Sequence, residues 1–435
     1  VRPTKPLTLL VAFMSRLNCQ RPRLAQQFRR DRPLARQLHV VHTIASVEQE
    51  VAGPSYSVPA LAAASARFGE NVALYSVGTP GVEARDGFNH HRFAADLQRV
   101  PVLRAAQMSR GMLTALKKSR ADIVHTHGLW LMPNVYGAWA KKQSGAKFVL
   151  SPRGMLAPAA LSFSRTRKRI FSMTFQDRAL RAVDLFHATS VQEHDDIRAR
   201  GLTQPVAIIP NGIDVPPAST LEATKKEVSA RTLLYLGRIH AIKNLDSLIA
   251  AWDRVEPDFP DWDLKIVGPG QQDDVLALRA AIARSRARRV MVHEGFYGRD
   301  KVRALAAADL NVLPSRSENF GMTIEESLAA GTPVICTRGA PWPGLETHGC
   351  GLWIDHGVYS LEAALRHAMS LSSEDLSAMG QRGRAWMSRD FAWDAVGRQI
   401  GSVYRWLVSP PGTPVPQCVR LTTDDGASVV SPACR

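Results

Sequence analysis

The sequence predicts an α/β protein made of two doubly wound parallel-sheet domains. Three observations carry that expectation. From Leu38 onward, short apolar runs of strand length alternate with helical patterns, the spacing that builds parallel sheets with helices on their faces. The alternation breaks at Pro210-Asn211-Gly212-Ile213-Asp214-Val215-Pro216-Pro217 and the polar stretch after it to Ser229, and then resumes. A chain of 435 residues with an apolar share of 45% is too long for one ordinary core and apolar enough for two.

In the first half, strands are expected at 38–42, 71–76, 123–125, 148–150, 185–188 and 206–210, with helical patterns at 60–68 and 105–116. The second half repeats the logic with strands at 233–236, 264–268, 290–292, 310–313 and 334–336. Phe391-Ala392-Trp393 opens a last helix that runs to about Val408. The expected boundaries are therefore a first domain over 38–213, a second over 214–390, and a final helix within 391–409. A tail over 410–435, rich in Pro, Thr, Ser and Gly, is expected to be disordered.

The formal net charge is +16, and half of it precedes the first strand. There Arg2, Lys5, Arg16, Arg21, Arg23, Arg29, Arg30, Arg32 and Arg36 stand against Asp31 alone. The stretch 1–37 lacks helical or strand periodicity and reads as a disordered basic arm, or as sequence upstream of the true start, since the chain opens on Val. A charge concentrated in an arm argues against a specific nucleic-acid surface on the folded domains. A second basic cluster, Arg165, Arg167, Lys168 and Arg169, interleaves with Phe163, Ile170, Phe171, Met173 and Phe175. It suits an anionic membrane surface, and equally a solvated helix face with an ordinary core stripe. No apolar run approaches the length of a spanning helix, and no secretory signal is evident. The five cysteines, Cys19, Cys336, Cys350, Cys418 and Cys434, show no C-x-x-C spacing, which argues against a disulfide framework or a zinc site and for a reducing, cytoplasmic location.

Most of the chemistry lies in Ser317-Glu318-Asn319-Phe320-Gly321-Met322-Thr323-Ile324-Glu325-Glu326-Ser327-Leu328. Two carboxylates, Glu318 and Glu326, flank a small loop that opens a helix. A Gly at a helix mouth lets a ligand approach the backbone, and the first-turn N–H groups with the positive dipole end favour phosphate. Such a site suits a diphosphate with hydroxylated rings at both ends, which describes a nucleotide-sugar. Standing alone, the stretch would also fit a capped core helix with an exposed Glu-Glu pair. It does not stand alone. Upstream, the apolar run 233–236 ends in Gly237-Arg238, and Ile239-His240-Ala241-Ile242-Lys243-Asn244 leads into the helical pattern Leu245, Leu248, Ile249, Trp252. Arg238 and Lys243 thus sit at the carboxyl end of a strand, where open α/β sheets bind ligands, and can neutralise charge on a leaving nucleotide.

Three further segments end strands. Gly53 lies in the loop 51–56 between the first strand and first helix, where backbone N–H groups face a cleft. His125 and His127 share one side of the pleat. Metal binding is one reading of His-x-His, with no third ligand evident nearby; a hydrogen-bonded core histidine is the other, and it fits His125 better. Arg153 follows another strand end and is placed to meet an acceptor's phosphate or to form a structural ion pair. Asp261-Trp262-Asp263 reads as a turn before a strand rather than a metal motif.

The Glu318 and Glu326 segment and the Gly237-Arg238…Lys243 segment resemble the retaining nucleotide-sugar glycosyltransferases of family 4, the group 1 transferases. The likeness extends from about residue 38 to about 409. It implies the GT-B fold, two Rossmann-like domains facing a cleft, with the last helix crossing back to the first domain. It implies that Glu318, in an E-x7-E motif with Glu326, holds the donor sugar, that Glu326 holds the ribose, and that Arg238 and Lys243 hold the diphosphate beside Gly237. Asn319, Phe320, Gly321 and Met322 between the glutamates complete the donor site. Gly53, whose usual Gly neighbour is here Ala52, is expected near the donor phosphate, and His127 against the donor sugar. Gly268 and Phe296 lie in corners expected to enclose the base. Tyr56 and Arg153 are expected on the acceptor side. No metal and no cofactor is implied, the nucleoside-diphosphate sugar being a co-substrate. Ser151-Pro152-Arg153-Gly154-Met155-Leu156 and Pro341-Trp342-Pro343-Gly344-Leu345-Glu346 resemble the transferases of bacterial exopolysaccharide and lipopolysaccharide biosynthesis. That likeness implies a glycan or polyprenyl-linked acceptor and a peripheral position at the inner face of the cell membrane.

Two rival readings follow from the same residues. A dinucleotide oxidoreductase needs a G-x-G-x-x-G turn after a strand, and no strand here offers one. A catalytically inactive GT-B scaffold, serving as a membrane or nucleic-acid binding module, would not need Arg238, Lys243, Glu318 and Glu326.

Overall fold

The computed structural model describes residues 36–47, 53–96, 106–162, 164, 168–169, 171–222 and 230–422. From His39 onward they form one compact unit. The basic arm over 1–37, except its last two residues, lies outside the described residues, as do Ala52, residues 423–435 of the tail, and Phe163, Arg165, Arg167 and Ile170 of the second basic cluster.

In chain order the strands are β1 (His39–Ile44), β2 (Asn71–Val77), β3 (Gly81–Arg85), β4 (Phe88–Phe93), β5 (Ile123–His127), β6 (Lys147–Ser151), β7 (Leu185–Ala188), β8 (Val206–Ile208), β9 (Arg231–Leu236), β10 (Trp262–Val267), β11 (Val290–His293), β12 (Leu310–Leu313), β13 (Val334–Thr337), β14 (Gly351–Ile354) and β15 (Val419–Arg420). Among the described residues they make two sheets, ordered β15-β8-β7-β6-β5-β1-β2-β4-β3 and β11-β10-β9-β12-β13-β14. Pairing is parallel except where β3 meets β4 and β15 meets β8. The inner strands read as near-continuous apolar runs because helices cover both faces, and each sheet has its own core. Asp261 supplies the turn carbonyl that accepts the Arg231 N–H, and Trp262 starts β10 fully buried.

Two strands of backbone connect the domains side by side. Ile213 bridges Ala392 in parallel and donates its N–H to the Phe391 carbonyl at 2.9 Å. Gly212 is required here, since a Cβ would lie 2.4 Å from the Trp393 ring. The helix Trp393–Val408 then returns to the first domain. Gly397 packs where a Cβ would meet the Phe68 ring at 2.7 Å and the Ala64 carbonyl at 2.9 Å, and Arg405 pairs with the buried Glu70 at 2.8 Å.

The structure departs from the sequence expectations at three places. The hairpin β3–β4 carries too few apolar residues to stand out from a loop, and the edge strand β14 is an apolar run of only four residues that opens on a Gly. The tail, expected to be disordered over 410–435, is ordered as far as 422. Within it Cys418 and Val419 are buried, β15 pairs with β8, and the Cys418 carbonyl accepts the Ile208 N–H at 2.7 Å. A Pro-rich composition hid a two-residue strand whose order comes from the sheet edge it covers.

Cutting the chain after Ser409 should therefore cost about 2–4 kcal/mol through lost burial and an unpaired β8 edge. Urea unfolding measures this; an unchanged midpoint would show that the tail contributes nothing to the sheet.

Candidate functional site

The loop before the helix Met322–Ala329 is tied to the end of β9 by backbone contacts. Tyr235 donates its hydroxyl to the Arg238 carbonyl at 2.8 Å, the Arg316 N–H donates to the Ile242 carbonyl at 2.8 Å, and Asn244, at φ 56°, donates its side-chain amide to the Pro314 carbonyl at 3.3 Å. This stitching brings Lys243, in the short 3-10 turn Ala241–Lys243, against Glu318, with Nζ hydrogen-bonded to Oε1. Ser315 donates to the same oxygen at 2.6 Å. Lys243 and Glu318 are only 16% and 13% exposed, so their attraction is screened far less than that of a surface pair. Arg238 is exposed beside them. Gly237 faces Gly268 so closely that a Cβ on Gly268 would fall 1.8 Å from the Gly237 carbonyl oxygen. Phe296 is exposed, its ring 6.1 Å from that of His293 at the end of β11.

Gly321 adopts φ 84° and starts the helix without a side-chain cap. The Ile324 N–H turns back to the Gly321 carbonyl at 2.8 Å, and the N–H groups ahead of it have no side-chain cap. Eight residues after Glu318, Glu326 accepts from Lys301 Nζ at 2.6 Å. Burial raises the pKa of Glu326, and Lys301 opposes that rise.

Both domains contribute to this place. A Cβ on Gly53 would lie 3.1 Å from Met322 Sδ, one on Gly154 would lie 2.7 Å from Asn319, and the Asn319 amide donates to Thr189 Oγ1 at 3.4 Å. Tyr56 donates to Asp214 Oδ2 at 2.7 Å, and its pKa is raised by burial, then by Asp214, with a smaller contribution from the charge of Glu326. A cavity of about 540 Å³ opens between the domains, bordered by Thr189, Asp196, Glu318, Asn319, Trp342 and Trp353. Arg238, Lys243, Gly321 and Glu326 lie outside its lining.

His127 departs from expectation. It is 1% exposed, and protein atoms hold both ring nitrogens. Arg153 Nη2 donates to Nδ1 at 3.2 Å, which puts the proton of the neutral ring on Nε2, from where it is given to His42 Nδ1 at 3.0 Å. Neither ring nitrogen is offered to a donor sugar in this conformation. The physical reason is the register His42↔His125 between β1 and β5, which sets a third imidazole on the same face and stacks it 5.3 Å from His127. The expectation that no third ligand lies near His-x-His is corrected by the same register: His42, His125 and His127 bring ring nitrogens within 4.8 Å of one another. The set is nevertheless spoken for, since His125 and His127 use all their ring nitrogens and the Arg153 guanidinium stands against the cluster. Arg153 itself is buried at φ 57°, and its Nη1 donates to Asn211 at 2.6 Å. Burial lowers its pKa to about 10.

His125 is a hydrogen-bonded core histidine, and its proton can be located. His187 Nε2 must donate to the Ile209 carbonyl at 2.9 Å, so its Nδ1 accepts from Ser151 at 2.8 Å. Ser151 then accepts from His125 Nε2 at 2.8 Å, and His125 Nδ1 accepts from Tyr404 at 2.7 Å. One chain of bonds, Tyr404 to His125 to Ser151 to His187 to Ile209, joins the last helix to three strands with every donor assigned. Sequence reasoning missed His42, His187, Tyr404 and Lys301; the alternating His and Ser at strand ends was the one available signal for the first two.

Family models match the two halves. The model for glycosyl transferase 4-like domains covers residues 52–212, and the model for glycosyl transferases group 1 covers 220–386. The chain belongs to the group 1 glycosyltransferases. The glycogen synthase of Mycobacterium tuberculosis is 30% identical over 243 residues, 53% of this chain and 55% of that protein. The GDP-mannose-dependent monoacylated alpha-(1-6)-phosphatidylinositol monomannoside mannosyltransferase of Corynebacterium glutamicum is 28% identical over 215 residues, 45% of this chain and 55% of that one. The chain thus spans about half the length of the curated relatives it matches. The solved sucrose-phosphate synthase of Thermosynechococcus elongatus superposes with a TM-score of 0.68 at 21% identity, covering 85% of this chain and 99% of the other. The fold of this group 1 glycosyltransferase is GT-B. No helix among its described residues is long and apolar enough to cross a membrane.

The buried imidazoles carry a pH signature. Burial and, to a lesser degree, the Arg153 charge lower His42 and His187 to about 3, while burial drives His125 and His127 well below the usual histidine range. Between those values and the unfolded value of about 6.5, unfolding takes up protons, so this stability is present above about pH 6.5 and is lost as the pH falls. Raised carboxyls at Glu325, Glu326 and Asp196 act in the opposite sense but are fewer. Moving from about pH 7.5 to about pH 5 should lower Tm by several degrees with net proton uptake on unfolding, and His42→Gln should reduce that uptake by about one proton. A Tm that does not change over this range would contradict the neutral network.

Proposed function

We propose that this protein is a retaining glycosyltransferase that moves a sugar from a nucleoside-diphosphate sugar to a glycan or polyprenyl-linked acceptor in surface polysaccharide assembly. The observation that carries the reading is the Lys243–Glu318 pair at the uncapped start of a helix that also bears Glu326. Positive charge, the uncapped start of a helix and two carboxylates come together there, beside the cavity that Glu318 and Asn319 border. The relative named for GDP-mannose dependence supports a donor of this class, and the sequence likeness of 151–156 and 341–346 supports the polysaccharide role.

In the proposed reaction Arg238, Lys243 and the N–H groups of the Gly321 turn hold the diphosphate and stabilise its charge as the bond from the anomeric carbon to the phosphate oxygen breaks. That positive charge takes the part a divalent metal plays elsewhere. Glu318 orients the sugar through its hydroxyls. Its Oε1 is already engaged by Lys243 and Ser315, which suits an acceptor of hydrogen bonds better than a nucleophile. The acceptor hydroxyl then attacks from the face the phosphate leaves, and the departing phosphate oxygen takes its proton, so configuration is kept. Arg153, oriented by His127 and Asn211, and Tyr56 are assigned to the acceptor side. Lys168 lies 5.8 Å from the Trp130 ring centroid, and exposed Met173 and Phe175 sit nearby in sequence, supporting a peripheral contact with an anionic membrane.

Replacing Lys243 by Ala should lower turnover by about two orders of magnitude or more, the scale of removing one electrostatic stabiliser. Sugar transfer or donor hydrolysis followed by nucleotide release measures it. Near-normal turnover would remove Lys243 from the mechanism.

A further inference from the structure

Lys301 lies in the helix Gly298–Ala307, which follows the Phe296 corner. Its Nζ donates to Glu326 Oε1 at 2.6 Å, with the two side chains 29% and 14% exposed. The next carboxyl along the helix, Glu325, is fully buried, and neither of its oxygens has a hydrogen-bond partner among the described residues. Glu326 Oε2 is likewise buried without one. One ammonium therefore serves two adjacent carboxyls in a site of low polarity, and two charges on one cation there are costly. The hydrogen bond assigns the charge to Glu326. Burial, reinforced by the neighbouring Glu326 charge, pushes Glu325 well above the ordinary carboxyl range.

Few other charges face Glu326. From the first-domain helix Gly53–Arg67 there is Tyr56, already bonded to Asp214. The helix Ser373–Trp386 brings Arg384, which donates to the Ala329 carbonyl at the far end of the glutamate's helix, and the following turn holds Arg389 paired with Asp390. On strand β13 the buried Cys336 feels the charge of Glu318 rather than that of Glu326.

We propose that Lys301 is a positioning residue for the donor's ribose, holding Glu326 in one rotamer as an ionised acceptor while Oε2 stays free of any protein donor. The proposal rests on reading Glu326 as the ribose ligand. A carboxylate accepts from two vicinal hydroxyls, whereas a carboxylic acid gives up part of that capacity. Without Lys301 nothing opposes the effect of burial, so Glu326 holds its proton to higher pH and ribose binding becomes pH-dependent. Lys301 itself need not touch the nucleotide.

The test is calorimetric binding of UDP, GDP and ADP, and of their 2′,3′-dideoxy analogues, across roughly pH 6 to 9. Each affinity is taken relative to the unmodified protein at the same pH, which cancels titration of the phosphates. Lys301→Met should weaken binding of the preferred ribonucleotide about tenfold at neutral pH, the scale of one charge-assisted hydrogen bond, and the loss should shrink as the pH rises. The preference for ribose over dideoxyribose should follow the same curve. Lys301→Arg should restore both, and Glu325→Gln should leave both unchanged. A loss in Lys301→Met that is equal at every pH, with the ribose preference intact, overturns the role of Lys301. A Glu326→Gln variant that keeps the full ribose preference, or a native protein that binds none of the three nucleotides, overturns instead the reading on which it rests. Circular dichroism melts confirm that each variant is folded.

Discussion

Two carboxylates, one before and one within the helix Met322–Ala329, lie where little water reaches them, and the elements around them are arranged to pair them. Each has a lysine of its own, drawn from a different element of the second domain. Lys243 arrives from the turn after β9 and Lys301 from the helix after β11. Burial without such a partner raises a carboxyl's pKa, as it does at Glu325 next to them. The lysines therefore set which acidic side chains are paired. They can do so only because the strands that carry their loops lie within one parallel sheet, with loop ends converging on one edge.

The first domain solves a different problem with the same chemistry. A row of imidazoles and a serine crosses its sheet, under the helix that returns from the second domain. Buried polar groups are costly unless paired, and here the pairing runs in one direction, from Tyr404 through His125, Ser151 and His187 to a backbone carbonyl. The bond at Tyr404 anchors the crossover helix to the strand that also carries His127. His127 in turn orients Arg153 at the border of the cleft. The orientation of Arg153 and the attachment of the crossover helix thus both depend on one layer of buried histidines.

Much of this was legible in the sequence. The alternation of apolar runs gave both sheets, the break at 210–217 fell where backbone passes between them, and Lys243 and Glu318, singled out by spacing, meet in a hydrogen bond. What stayed hidden depended on register. His42 stands about eighty residues before His125, and only the parallel pairing of β1 with β5 puts them together. Lys301 sits on a helix with no local mark of function, and its meaning comes from the approach of that helix to Glu326. The ordered tail followed the same rule: two residues became a strand because β8 offered an open edge. Local pattern specifies elements, whereas long-range register specifies which polar groups meet.

The central claim is that the cleft binds a nucleoside-diphosphate sugar through its own cations. It is tested most directly by a thermal-shift panel of UDP-, GDP-, ADP- and dTDP-sugars in the presence of a chelator. A ligand at a hundred times its Kd stabilises the native state by about 2.7 kcal/mol, a readable shift. The account predicts a rise in Tm selective for one nucleotide, kept under chelation and absent in Lys243→Ala. No shift with any of the four, or a shift that Lys243→Ala retains in full, would contradict it.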